Sequence, residues 1–224
     1  MMMKEIRNWF NRPFSFDMIY KHIQNKTINY LDVGCGSHAA TIAKKFFPQI
    51  KYYGLDFDRN FHNDDSDFKL MEEFYQVDLT KIEMLEKVPE NFFDFYIMSH
   101  VLEHIANGEE VLLELKNKLK VNGYAYIEFP SLHSHKLPQI GEGTLNFHKD
   151  PTHVRQYDYK EISKLLKENG FEILSAGVRR GWKRIVFLPI YILRSFIDGK
   201  GLRSGHLYDI TGFASYVFAK KINE

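Results

Sequence analysis

Short apolar runs alternate with stretches in which apolar residues recur every three or four positions along most of the chain. Phe16, Ile19, Tyr20 and Ile23 keep helical spacing after Pro13, so residues 1–27 read as a helical lead-in broken at that proline. Ile28, Tyr30, Leu31 and Val33 then form an apolar run that ends in Gly34 and Gly36, and Ala39, Ala40, Ile42, Ala43, Phe46 and Phe47 follow at helical spacing. This predicts a buried strand, a tight turn, and a helix whose first turn points back at the strand's end. Further strands are expected at 50–55, 74–77, 92–98, 124–129, 171–178 and 213–219. Val111, Leu112, Leu115 and Leu119 put one apolar stripe on a helix over 109–119, closed by Gly123. Asp158 and Glu161 make a capping-box-like start to another helix, which carries Ile162, Leu165 and Leu166 and ends at Gly170. Strands alternating with helices predict an α/β fold, a doubly wound parallel sheet, in one domain spanning 1–224.

Three segments depart from this alternation. Residues 58–67 are polar and acidic and read as a solvated loop. Residues 131–157 form a loop holding His133, His135, Gly141, Gly143, His148, Asp150, His153 and Arg155, and loops of that length inside compact domains are commonly functional. Residues 182–210 are an apolar, aromatic-rich insert: a lid, a dimer contact, or an amphipathic foot on a membrane with Arg184, Arg194, Lys200 and Arg203 near the headgroups. Its most apolar stretch, 185–197, is interrupted by Pro189 and Arg194 and is too short to span a bilayer.

Composition narrows the class. A 44% hydrophobic chain of 224 residues can bury one core, and a net charge of +1 leaves no electrostatic footprint for nucleic acid. The lone Cys35 rules out an intrachain disulfide, and residues 1–10 carry no signal-peptide core, so a cytoplasmic location is expected.

The candidate chemistry gathers at strand ends. Asp56 follows Gly36 by 20 residues, the spacing at which an acidic residue accepts ribose hydroxyls in nucleotide-binding βαβ units. Asp78 ends the next strand, placed either to meet an adenine amino group or to cap the following helix. Ser99 to His104 follow the strand at 92–98. Open α/β sheets bind ligands at these C-terminal ends.

Taken in order, Leu31-Asp32-Val33-Gly34-Cys35-Gly36, Gly54-Leu55-Asp56, Val77-Asp78-Leu79, Phe93-Asp94 leading to His100-Val101-Leu102-Glu103-His104-Ile105, and Gly123-Tyr124-Ala125-Tyr126-Ile127 resemble the class I S-adenosylmethionine-dependent methyltransferases. The resemblance covers residues 28–130 well and extends to the end in strand order. It implies a Rossmann-like seven-stranded sheet whose last strand is antiparallel and inserted beside the sixth. It implies S-adenosylmethionine as cofactor, with Asp32, Gly34, Cys35 and Gly36 at the methionine moiety, Asp56 at the ribose and Asp78 at the adenine. Phe57, Leu79 and Ser99 complete that cofactor-binding set. His38 departs from the pattern, standing where many members have a third glycine.

The implied reaction is methyl transfer to a small-molecule or carbohydrate acceptor, as O-methylation in a glycan or surface-polysaccharide pathway; the run from His148 to Arg155 carries that association. The sulfonium is already activated, so the protein mainly aligns an acceptor for in-line displacement. A hydroxyl acceptor also needs a base; His100, His104, His148 and His153 are candidates, with Asp150 as orienter.

Other readings fit parts of the pattern. His100-Val101-Leu102-Glu103-His104 spells the H-x-x-E-H zinc pattern, but it begins at a strand end with no long helix before it. Gly34-x-Gly36 followed by Ala39 is a partial match to the G-x-G-x-x-G of NAD oxidoreductases. A non-catalytic binding member of the same fold is a third. A wider metal site from His133, His135, His148, Asp150 and His153 competes with solvated loop histidines, and no resident metal is expected.

Overall fold

The computed structural model describes residues 2–59, 61–140 and 143–223; Gly141 of the long loop lies outside them. In chain order the elements are α1 (Met2–Asn11), α2 (Phe14–Ile23), β1 (Asn29–Val33), α3 (Ala39–Phe46), β2 (Lys51–Asp56), α4 (Asp65–Phe68), β3 (Met71–Gln76) and β4 (Phe93–Ser99). There follow α5 (Gly108–Lys118), β5 (Leu119–Pro130), α6 (Tyr159–Glu168), β6 (Phe171–Val178), α7 (Trp182–Val186), α8 (Leu188–Ile197), α9 (Tyr208–Thr211) and β7 (Ala214–Lys221). Pro13, with ψ of 156°, separates α1 from α2 as its position implied.

The seven strands form one sheet in the order β3-β2-β1-β4-β5-β7-β6. The strand pairs from β3 to β5 are parallel, and β7 runs antiparallel to both β5 and β6, inserted between them. Because β1 pairs with both β2 and β4, the chain reverses its direction of winding at β1, and the C-terminal ends of β1, β2 and β4 flank the resulting crevice. Period-2 alternation along the inner strands feeds two cores. Leu31, Val33, Tyr96, Met98 and Ile127 face α5 and α6, whereas Tyr30, Tyr52, Phe95, Ile97 and Tyr126 face α2 and α3. On the second face Tyr30 stacks on Phe95 at 5.2 Å and on Tyr52 at 5.7 Å, pairs worth about 0.5–1.5 kcal/mol each beyond their area.

Three sequence expectations shift. β3 starts at Met71, three residues before the apolar run, because it is an edge strand whose Glu72 and Glu73 face solvent. β5 starts at Leu119 rather than 124, with a register shift between Phe93 and Phe95; Gly123 therefore lies inside a strand, where a Cβ would come within 2.9 Å of the Lys120 carbonyl. The 58–67 segment is not wholly solvated. Asp64 and Asp67 form a capping box on α4, and Asp67 is fully buried where it takes hydrogen bonds from Thr41 and His38 at 2.6 Å each. The apolar insert becomes α7 and α8, which pack on α1: Tyr191 donates to the Phe10 carbonyl at 2.6 Å and stacks on its ring.

Candidate active site

The turn after β1 is set by backbone geometry. Gly34 takes φ +81°, and a Cβ there would lie 2.2 Å from Val101 Cγ2, so the close approach between the turn and the segment after β4 requires glycine. At Gly36 a Cβ would lie 2.5 Å from the Phe61 ring. The Gly34 and Cys35 N–H groups donate to the Leu55 carbonyl, tying the turn to β2. Ser37 and His38 both take left-handed φ, near +56° and +59°, and His38 is the N-cap of α3. The turn thus forms without a third glycine, at a strain of about 1–2 kcal/mol per left-handed residue. The acidic loop folds over it: Ser37 N–H donates to the Phe61 carbonyl, and the Asn63 amide bridges the Cys35 carbonyl and the His38 N–H.

Cys35 is held inside the turn. Its side chain is buried in the core, where a Cβ on Gly54 would come within 2.7 Å of its sulfur, and burial pushes its thiol up. Its N–H donates to the Leu55 carbonyl and its carbonyl accepts the Asn63 amide, so the backbone of the turn is pinned on both sides of the side chain.

The carboxylates lie at the expected strand ends. Asp32 is buried and accepts the Tyr52 hydroxyl at 2.8 Å. Burial pushes its pKa up to about 7, with the Tyr52 hydrogen bond opposing and the Asp56 charge adding. Asp56 is buried too; desolvation raises its pKa, while N–H groups of Asp58, Phe57 and Gly36 pull against it. Beside it Phe57 leaves 65% of its surface exposed. Asp78 holds the next turn, accepting the Thr80 N–H at 3.0 Å and hydroxyl at 2.6 Å, which lowers its pKa. Leu79 is buried beside it, and Ser99 is half-buried at the end of β4.

The long loop docks on the segment after β4. Val154 and Arg155 N–H donate to the Glu103 carbonyl, and the Arg155 guanidinium grips Glu109. This brings His153 to His104, with ring centroids 4.9 Å apart. His153 Nδ1 lies 2.7 Å from the Phe147 carbonyl, which can only accept, so Nδ1 carries the proton and Nε2 is left facing Glu103 at 3.8 Å and Asp150 at 3.9 Å. His104 Nδ1 is held by the Thr152 carbonyl and hydroxyl. Glu103, His104 and His153 each offer a ligand atom within 4.8 Å of the others, the spacing of a cation site. His148 is exposed and makes its ring contact with Phe147, and His133 and His135 are exposed; none of these three joins that group among the described residues. Only Leu102–His104 of the H-x-x-E-H run forms a 3-10 turn, and His100 lies before it at φ +56°, so His100 and His104 turn to different neighbours and do not form a helical ligand pair.

An ion network next to this cluster escaped the sequence reading. Arg179 Nη1 donates to Glu128 at 2.9 Å, and its Nε and Nη2 grip Asp209 at 3.0 and 2.9 Å. Glu128 also accepts the Tyr126 hydroxyl at 2.6 Å. His100 lies between Glu103 and Glu128, its Nδ1 and Nε2 3.3 Å from each, the second contact out of line for a hydrogen bond. A lone Glu inside the apolar run of β5 was the available signal, because a buried charge demands a partner.

Burial works against a charged His100, but Glu103 and Glu128 outweigh it and push its pKa up from 6.5 to about 9. The groups facing it also include Tyr208, Phe213 and, through Glu128, Arg179. Its ion pairs therefore contribute fully below pH 6.5 and fade as pH rises through 9. The melting temperature should fall across that window, and His100→Asn should flatten the fall; an unchanged slope in the variant would remove His100 from the account.

With this geometry in place, likeness to known proteins narrows the reading. Residues 11–176 match the methyltransferase-domain family. The ribosomal protein L11 methyltransferase of Prochlorococcus marinus (strain MIT 9515) is 28% identical over 167 residues, covering 71% of this chain and 45% of that protein, so the chain spans about half of this curated relative. A SAM-dependent methyltransferase structure from Archaeoglobus fulgidus is 19% identical, covers 97% of this chain and 94% of its own, and superposes with a TM-score of 0.56. An S-adenosylmethionine-dependent methyltransferase from Mesorhizobium loti is 12% identical, covers 95% and 100%, and reaches 0.62. These two share the overall fold of this chain. No helix among the described residues is long and apolar enough to cross a membrane. The family match over most of the sequence decides against the zinc and NAD readings: the chain belongs to the methyltransferase-domain family, the class I group whose methyl donor is S-adenosylmethionine.

Proposed function

We propose that this chain transfers the methyl group of S-adenosylmethionine to an oxygen of a small-molecule or carbohydrate acceptor, in a glycan or surface-polysaccharide pathway. The observation that carries the methyl-transfer reading is the convergence of the glycine turn, Asp32, Asp56 and Asp78 on one sheet edge in a member of this family. The exposed Phe57 ring beside the buried Asp56 carboxylate fits a nucleoside, offering an apolar face next to a hydroxyl acceptor. In this reading Asp32 and the turn hold the methionine end, Asp56 the ribose, and Phe57, Asp78 and Leu79 the adenine, with Ser99 lining the mouth. The bound donor supplies a methyl group on an activated sulfonium; the chain binds, orients and accepts a proton.

On the acceptor side, His153 Nε2 is free of the Phe147 contact and is set to take the proton of an acceptor hydroxyl. The Phe147 carbonyl at Nδ1 orients the ring, Asp150 and Glu103 lie beside Nε2 where they stabilise the imidazolium once the proton is taken, and His104 packs on the ring. His148 shapes the same loop from its exposed side. His153→Ala should lower kcat by about 100- to 10,000-fold while leaving S-adenosylhomocysteine affinity unchanged. Retained turnover, or a parallel loss of nucleoside binding, would remove His153 from this role. A second reading is favoured by the spacing of Glu103, His104 and His153: a divalent cation held there would lower the acceptor's pKa in place of a histidine base. Turnover lost in EDTA and restored by magnesium or manganese would support it over the first.

A further inference from the structure

A cavity of about 530 Å³ opens at the C-terminal end of β6, bounded by α1, α2 and α7. Trp9, Arg12, Arg180, Trp182, Lys183 and Arg184 line it, and Asp17 is its one acidic side chain. Asp17 is already shared, paired with Arg12 at 2.6 Å and with Lys183. Arg180 and Arg184 have no carboxylate partner among the described residues: Arg180 reaches the carbonyls of Asp209 and Ile210, and Arg184 makes long contacts to the carbonyls of Asn11 and Arg12 and lies over the Tyr191 ring at 4.5 Å. Arg184 Nε is cut off from solvent with no hydrogen-bond partner. Four cations against one carboxylate give the lining a formal charge of +3.

Two indoles form the wall. Trp9 and Trp182 are 40% and 63% exposed, with ring centroids 6.2 Å apart and tilted by 49°. From Trp182 an exposed apolar stripe continues through Val186, Ile190, Leu193 and Ile197 on α7 and α8. The cavity shares its sheet edge with the candidate active site: Tyr216, on its lining, pairs with Glu128 in the β5–β7 register, and Asp209 accepts the Gly181 N–H at 2.8 Å while gripping Arg179.

We propose that this cavity binds the phosphate or diphosphate of a phosphorylated acceptor, with the group that the phosphate carries held against Trp9 and Trp182. Guanidinium forks match phosphate oxygens in geometry and charge, and a neutral sugar would leave Arg180 and Arg184 uncompensated. The same chemistry arises from a nucleoside diphosphate, whose base would stack on the indoles, or from a lipid diphosphate, whose tail would follow the apolar stripe. Calling the ligand an acceptor rests on the methyl-transfer reading; the anion site itself does not.

The chain's two tryptophans both line the cavity, so intrinsic emission reports it directly. The full chain is titrated with inorganic pyrophosphate, UDP and farnesyl diphosphate, with uridine as the uncharged comparison. Saturable emission changes with pyrophosphate are expected, at least tenfold weaker in Arg180→Ala and weaker still in Arg180→Ala/Arg184→Gln. Tighter binding of UDP than farnesyl diphosphate assigns a nucleoside source, and the reverse order a lipid source. No saturable change with any diphosphate, a response to uridine equal to that of UDP, or undiminished binding by Arg180→Ala would overturn the proposal; this exposed single variant keeps the test valid if the double variant fails to fold. Calorimetry with S-adenosylhomocysteine on the same samples separates the two readings. Anion binding without nucleoside binding leaves the site standing and the methyl-transfer reading fallen, and nucleoside binding without anion binding does the opposite.

Discussion

Arg179→Ala should destabilise the fold by about 3–5 kcal/mol, because removing one partner of a buried ion pair strands the charge of the other. Here two carboxylates are stranded at once. Glu128 and Asp209 are each about 2% exposed at the side chain, and Arg179 is only 14% exposed. Burial alone would raise Glu128, yet the Arg179 charge and then His100 hold it down near 2, so in the folded chain it stays ionised at every ordinary pH. Without Arg179 it retains only Tyr126 and His100, and Asp209 retains the Gly181 N–H. Arg179→Lys keeps the charge but loses the fork that engages both acids, and should fall between wild type and Ala. Urea denaturation measures both. A cost below about 1 kcal/mol for the Ala variant, the range of an exposed pair, would mean that the network does not hold the ends of β5 and β6 together.

That network was invisible in the sequence, for a definable reason. Arg179 and Asp209 are 30 residues apart and join through strands whose pairing only the fold sets. The same holds for Glu103 with His153, for buried Asp67 under α3, and for the cavity between residues 9 and 182. What was legible was local. The glycine turn, the 20-residue step to Asp56, the helix after Pro13 and the strand at 171–178 each rest on spacing within one or two elements. The run from His148 to Arg155 was singled out by its place on the long loop and by its resemblance to a segment of glycan-pathway methyltransferases, and the structure brings two of its members, Asp150 and His153, to His104 while leaving His148 at the surface. The start of β5 was misplaced because Gly123 reads as a helix stop until the bulge beside it is known.

Asp56→Ala should weaken S-adenosylhomocysteine binding by roughly 30- to 150-fold, about 2–3 kcal/mol, the range for hydrogen bonds to a charged group. The carboxylate does two jobs in this reading. It accepts N–H groups of Asp58, Phe57 and Gly36, which fixes the turn, and it presents its oxygens to the ribose hydroxyls. Asp56→Asn keeps an acceptor oxygen and should lose less than Ala. Asp32 should add a pH dependence: with its pKa raised to about 7 by burial, affinity for the cationic end of the donor should rise as pH increases through 7, and Asp32→Asn should remove that rise. Calorimetric titration checks both, and an Asp56→Ala affinity equal to wild type would take the ribose site away from β2.

The central claim, that the crevice between β1, β2 and β4 holds a sulfur nucleoside, has one direct test: melting curves of the unmodified chain with S-adenosylmethionine, S-adenosylhomocysteine, NAD or zinc. A ligand that binds only the folded state adds about 2.7 kcal/mol at a hundredfold excess over its Kd. Stabilisation by the two sulfur nucleosides, and not by NAD, is the expected result. A shift with NAD alone, or none with either nucleoside at millimolar concentration, would mean that the glycine turn and Asp56 serve another ligand.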